Sequence, residues 1–224
     1  MTDFPFHKES GVAGLHIAAY FGLTKLVQSA MKRTGPLPLN ATTQAGETAL
    51  HWAAKYQQSG FLKLLVLLES GRCELHMADA QNWTPLRWAA AYGHGSLVKL
   101  LLKHGARVDH KDKDGWTALR WAVQRGHMHV TKLLISEGAD IKSPLGGDPD
   151  KRTLLQWAAG EGRDPLVRLL IKRGVDIDAT DEKGQTALCW AAMYGHGMAA
   201  WLLLQGGANM NKTDKRGYTP LHAA

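Results

Sequence analysis

One phrase recurs through the chain and dictates what it can fold into. Thr48-Ala-Leu50-His51-Trp52-Ala-Ala returns as Thr84-Pro85-Leu86-Arg87-Trp88-Ala-Ala, and then as Thr117-Ala-Leu119-Arg120-Trp121-Ala-Val. It comes back as Thr153-Leu-Leu155-Gln156-Trp157-Ala-Ala and Thr186-Ala-Leu188-Cys189-Trp190-Ala-Ala. Weaker or shorter copies stand at Leu15-His16-Ile17-Ala-Ala and at Thr219-Pro220-Leu221-His222-Ala-Ala. Between successive anchor leucines the steps are 35, 36, 33, 36, 33 and 33 residues. A fixed period of this size means one small unit stacked on copies of itself, each burying its apolar face on its neighbours.

The unit reads as two helices. Thr is a good helix cap, and Pro at the first helical position has no backbone N–H to leave unsatisfied. Ala-Ala pairs allow close packing, and Gly22, Gly93, Gly126, Gly162 and Gly195 end the first helix where a left-handed residue is needed. A second apolar run with one buried stripe follows, as in Leu97-Val98-Lys-Leu100-Leu101-Leu102. It stops at Gly105-Ala106, Gly138-Ala139, Gly174-Val175 or Gly207-Ala208. Polar stretches such as Asp109 to Gly115 and Asp178 to Gly184 then turn the chain to the next Thr.

Helix, Gly, helix, Gly-Ala and turn, opened by Thr-Pro-Leu-His, resembles the ankyrin repeat. The resemblance implies an all-α solenoid of helix-turn-helix units with short hairpin-like connecting loops. Residues 1–11 read as a lead-in, and 12–224 as six repeats plus a truncated seventh. Arg87, Arg120, Gln156 and Cys189 replace the motif His, so its usual local hydrogen bonds are not expected there. Repeat two reads as carrying extra residues around Gln57-Gln58-Ser59, and the turn Ser143 to Pro149 reads as a break in the regular tip. The last phrase starts a helix that nothing covers, which suggests a fragment of a longer protein.

Composition narrows the function classes. Residues 1–11 lack a basic segment followed by an apolar run, so no secretory signal is expected. No apolar stretch approaches the roughly 20 residues of a membrane span. Two cysteines, Cys73 and Cys189, fit reduced thiols and a cytoplasmic or nuclear setting, in which three glycosylation sequons carry no meaning. The net charge of +7 favours an acidic partner, but the cations are spread over second helices and form no nucleic-acid arm. No phosphate loop, nucleophile elbow or His-Glu-x-x-His helix occurs, so no catalytic residue, cofactor or metal is expected and the chain reads as a non-enzyme. His94, His127 and His196 share one slot after the inter-helix Gly and read as structural.

Binding residues are then sought where the repeat leaves choice. By the resemblance, first helices line a concave groove. Trp52, Trp88, Trp121, Trp157 and Trp190 would form a ladder along it, mainly structural. Tip residues Trp83, Trp116 and Arg152, and late first-helix residues Tyr56, Tyr92, Arg125 and Tyr194, have the composition of interface hot spots. The expected partner is a protein or peptide, held by a monomeric scaffold or sensor array of a larger intracellular protein. The Trp-Ala-Ala phrase is similar to arrays of large fungal NACHT/NLR-like signalling proteins. It is also similar to ankyrin regions of membrane palmitoyltransferases, which leaves a substrate-recruiting region of a protein acyltransferase as the alternative.

Overall fold

A computed structural model of the chain describes residues 14–34, 37–68 and 74–224. The lead-in 1–11 and Cys73 lie outside these residues. Among the described residues the regular structure is helical, with a lone antiparallel bridge between Thr42 and Thr48. The chain divides into two compact units, residues 1–139 and 140–224.

The first unit holds four helix pairs: α1 (Gly14–Phe21) with α2 (Thr24–Thr34), α3 (Ala49–Lys55) with α4 (Ser59–Leu68), α5 (Pro85–Ala91) with α6 (Gly95–Lys103), and α7 (Ala118–Gln124) with α8 (Met128–Ser136). The second holds α9 (Leu154–Gly160) with α10 (Asp164–Lys172), α11 (Ala187–Met193) with α12 (Gly197–Gln205), and the single turn α13 (Pro220–Ala223). Inside each unit, first helices stack on first helices and second helices on second helices. First helices of seven residues are far too short to persist alone in water. Packing from several sides holds them: Ala49 to Ala54 are all buried, as are Pro85 to Ala91 and Leu154 to Gly160. Second helices bury one stripe, such as Leu97, Val98 and Leu101 or Leu166, Val167 and Leu170.

Three sequence expectations change in the fold. The turn of repeat two has the ordinary length. Gln57 takes the left-handed conformation (φ +59°) that Gly93 takes in repeat three (φ +74°). Gln58 then fills the His slot, donating from Nε2 to the carbonyl of Tyr20 (2.8 Å) as His127 does to that of Ala91 (3.1 Å). The extra residues of the long repeats fall later. From the first residue of the second helix the tip aspartate lies seventeen steps on in Gly95–Asp112, but twenty in Ser59–Asp79 and twenty in Met128–Asp148. The second change follows, because the insertion enters before Asp148 and leaves its capping of the tip backbone intact. Asp148 Oδ1 still accepts from the backbone N–H of Asp150 and Arg152 (both 3.1 Å), although Leu145 rather than Asp148 donates to the carbonyl of Arg152 (2.8 Å). The third concerns the motif His. Gln156 restores its bonds, as described below.

Neighbouring tips are joined by backbone hydrogen bonds, Ala80 N–H to Ala45 C=O (2.8 Å) in the first unit and Lys215 N–H to Lys183 C=O (3.0 Å) in the second. Gly184 shows why the tip needs glycine. Its φ is +81°, and a Cβ there would lie 2.9 Å from the backbone N of Lys215.

Candidate functional site

Four of the five tryptophans of the phrase are tied down by an acid that sequence reading missed. Thr84, Thr117, Thr153 and Thr186 sit extended, and each hydroxyl accepts the N–H three residues on (3.3 Å). That fixes the helix start and points the Trp back toward its own tip. There Asp79 Oδ1 caps the backbone N–H of Gln81 and Trp83 (2.9 Å each), while Oδ2 accepts from Trp88 Nε1 (3.1 Å). Asp112 holds Trp121 and Asp181 holds Trp190 in the same way, both at 2.8 Å. Repeat two uses Glu47 Oε2 for Trp52 (2.7 Å). A buried indole N–H needs an acceptor, and a charged one at close range is the strong form. The signal was present: Asp79, Asp112, Asp148 and Asp181 each stand nine residues before a phrase tryptophan.

The slot after the anchor leucine links one repeat to the next. His51 Nδ1 accepts from Thr48 N–H (3.0 Å), so Nε2–H donates, reaching the Trp83 carbonyl (2.9 Å). Burial holds the His51 imidazole below its usual range, against the pull of the Trp83 carbonyl and of Asp79 and Glu47. Gln156 copies this bond for bond. Its Oε1 accepts from Thr153 N–H (2.6 Å), and Nε2 donates to the carbonyls of Gln185 (2.8 Å) and Ala179 (2.9 Å). Cys189 is buried and keeps a contact with the Thr186 hydroxyl (3.4 Å).

Arg87 does something else in that slot. It is 3 % exposed and lies between the faces of Trp83 and Trp121, its guanidinium carbon 4.0 Å from the Trp121 centroid. Asp112 Oδ2 is 3.8 Å from Nε, and Nε and Nη2 have no hydrogen-bond acceptor. Burial pushes the guanidinium down to about 9, against the pull of Asp112 and Asp79. Aromatic faces here take the place of hydrogen bonds. Arg120 repeats the stacking on Trp116 (4.5 Å).

These arginines merge the two sets that sequence spacing kept apart. Trp83 lies edge-on to Trp88 (4.5 Å) and 5.8 Å from Trp121, and Trp116 leans on Trp121 (4.7 Å). Tyr92 stacks on Trp88 at 5.8 Å and 14°, and Arg125 lies 5.9 Å over Trp121. Of the expected binding residues, Tyr92 is 49 % exposed and Arg125 is exposed, while Trp83 and Trp116 are half-buried. The cluster continues through Lys55, which pairs with Glu47 (3.5 Å) and lies over the Trp88 and Tyr56 rings. Burial lowers the Lys55 pKa, but Glu47 and neighbouring groups outweigh it and the net shift is upward. Tyr56 itself is half-buried against Trp52 and Tyr20. Within the ladder, Trp52, Trp88, Trp157 and Trp190 are buried and Trp121 is half-buried.

The second unit repeats the pattern on its own. Tyr194, 56 % exposed, stacks on Trp190 at 5.8 Å and 9°. Arg152, locked to Asp148 through Nη2 (2.9 Å) and Nε (3.1 Å), lies 4.6 Å over the same indole. Trp190, Met193 and Tyr194 floor an open cleft of about 480 Å³ whose rim includes Asp150, Lys183, Asp214 and Arg216. Among the described residues no three His, Cys, Asp or Glu side chains are placed to hold a metal, and no helix is long and apolar enough to cross a membrane.

Comparison with known proteins decides the family. A family model for ankyrin repeats in three copies matches residues 15–112, 105–181 and 155–224. The chain belongs to the ankyrin-repeat family. The ankyrin repeat domain of Bcl-3, a member of the IkappaB family, is 26 % identical with a TM-score of 0.83, covering 96 % of this chain and 95 % of that one. That of human ASB11 is 25 % identical (TM-score 0.74; 95 % and 92 % covered), and one from Acinetobacter baumannii is 27 % identical (TM-score 0.76; 87 % and 98 %). No curated protein matches the sequence. The helix-turn-helix units and tips are thus those of an ankyrin solenoid, a fold that generally serves as a protein-protein interaction module and is typically non-catalytic.

Proposed function

We propose that this ankyrin array is a non-catalytic scaffold or sensor module that binds a protein or peptide through its first helices and hairpin tips. The observation that carries the reading is the preorganised cluster of the first unit. Asp79 and Asp112 hold two indoles rigid, and those indoles hold exposed Tyr92 and Arg125 in place. Rigid aromatic and Arg side chains lose little freedom on binding, which is what hot spots exploit. Trp83 and Trp116 contribute half-buried faces, and Tyr56 extends the same cluster. Arg152 and Tyr194 form the corresponding site of the second unit. The cations of the cluster and the net charge of +7 suit an acidic partner. Its context, on the likeness of the Trp-Ala-Ala phrase to arrays of fungal signalling proteins, is a monomeric region of a larger cytoplasmic or nuclear protein.

The test is a peptide ligand selected from a displayed library on the intact chain. Tyr92→Ala and Arg125→Ala are expected to weaken it by more than about 1 kcal/mol each, with melting nearly unchanged. Trp83→Ala lowers stability as well, because it uncovers Arg87. Ligands that ignore Tyr92, Arg125 and Tyr194 would refute the assignment.

A further inference from the structure

The second helices share a solvent stripe that α12 breaks. Counted from the first helical residue, the second, fifth and ninth positions are exposed: Ser96, Lys99 and Lys103 in α6, His129, Lys132 and Ser136 in α8, Pro165, Arg168 and Lys172 in α10. The fifth position is a cation in four helices, Lys63, Lys99, Lys132 and Arg168. In α12 it is Trp201, 52 % exposed, with Met198 at the second position, 55 % exposed. Trp201 stands outside the repeated phrase and outside the tips, so nothing in the repeat accounts for it.

A further helix pair would not cover it. α12 packs on α10, yet Pro165, Arg168 and Lys172 remain exposed. By the same geometry a pair stacked on α12 would bury Leu204, the counterpart of half-buried Ile171, and leave Met198 and Trp201 in solvent. Beside the indole, one helix spacing of about 9 Å away, α10 presents Arg168 and Lys172. Neither has a carboxylate partner among the described residues. Trp, Met and Arg are the residues enriched at interface cores.

We propose that the outer face of α10 and α12 is a second docking surface for an amphipathic acidic segment of a partner protein. An apolar side chain rests on Trp201 and Met198, and carboxylates pair with Arg168 and Lys172. Charge selects this occupant. A two-fold contact with a second copy would set these cations against each other, in a chain already at +7.

The test uses a synthetic helical peptide of about 12 residues, with Leu on one face at i, i+3, i+4 and i+7 and Glu elsewhere, beside its Gln-for-Glu isostere. Binding is followed in the intact chain by the methyl resonances of the methionines. The acidic peptide is expected to shift Met198 and not Met193, which lines the first-helix cleft. Trp201→Lys restores the cation of the other repeats and so leaves melting unchanged; it is expected to weaken binding at least tenfold. Arg168→Glu and the Gln isostere weaken it similarly. The proposal is overturned if the peptide produces no shift, shifts Met193 instead, or binds equally as the isostere. It is also overturned if Met198 shifts with protein concentration alone, or responds to phosphatidylserine vesicles and not to the peptide.

Discussion

Arg87 in the first unit and Gln156 in the second occupy the same slot of the repeat and solve it in opposite ways. Gln156 makes three hydrogen bonds, to Thr153 N–H and to the carbonyls of Ala179 and Gln185, and so fastens one repeat to the next with neutral groups. Arg87 leaves two nitrogens without acceptors, carries a charge into the interior and lies between two indoles. The first is a structural joint. The second gives up local hydrogen bonding and gathers Trp83, Trp88, Trp121 and, through them, Tyr92 and Arg125 into one surface. A single backbone site thus serves cohesion in one unit and assembly of an aromatic cluster in the other.

The largest effect tests the frame on which both slots depend. Leu119, 3 % exposed, anchors α7, which packs on α5 and α8, whereas Leu221 is 80 % exposed. Leu119→Ala is expected to cost about 2–5 kcal/mol in chemical denaturation, and Leu221→Ala close to nothing. Equal costs would contradict the stacked arrangement.

Next comes the slot itself. Gln156→Ala strands an N–H and two carbonyls and should cost about 2–3 kcal/mol. Arg87→Met removes the unsatisfied guanidinium but also the counter-charge of buried Asp112. The three remaining hydrogen bonds of Asp112 offset part of that loss, so the change should cost less than Gln156→Ala, about 1 kcal/mol. A loss of similar size at both positions would show that Arg87 is as much a joint as Gln156, and the contrast would fail.

Acid sharpens the difference. His51 has a folded pKa below its ordinary 6.5, so between the two values the unfolded chain binds the extra proton. Stability is therefore present above about pH 6.5 and is lost as pH falls from there toward the lowered folded value. Gln156 in the same slot does not titrate. Hydrogen exchange from about pH 7.5 to about pH 5.5 should show the amides of α3 loosening, and His51→Gln should flatten that dependence. An unchanged slope in the variant would assign the acid sensitivity to other groups.

The smallest effect is expected to be alike in both units. Tyr92 and Tyr194 stack on their tryptophans at the same 5.8 Å, half in water. Removing either should cost less than about 1 kcal/mol. A markedly larger cost at Tyr92 would mean that the cluster around Arg87 reaches through it.

Much of this was legible in the chain. Thr as cap, Gly at the inter-helix turn and the anchor leucines follow from local backbone rules, and the structure shows each in place. The reading failed where a residue outside the usual type takes over a role, as with Gln57 at positive φ or Gln156 in place of His. It was half right at Asp148, where the insertion does pass the tip's backbone bond to Leu145 but leaves the carboxylate capping Asp150 and Arg152. The insertion merely entered upstream, because the carboxylate caps the backbone only toward later residues.

The sequence by itself determined the repeat, the helical pairs, the family and the residue types available for recognition. These depend on periodicity and on backbone conformations that each residue settles locally. Only the tertiary structure decided that Asp79, Asp112 and Asp181 hold their indoles, that ladder and tip residues meet within each unit, and that Arg87 is buried among aromatic rings. Such facts depend on distances between residues brought together by stacking. A side chain's partner there is chosen by burial and by the need to satisfy every polar group, and neither is encoded in its immediate neighbours along the chain.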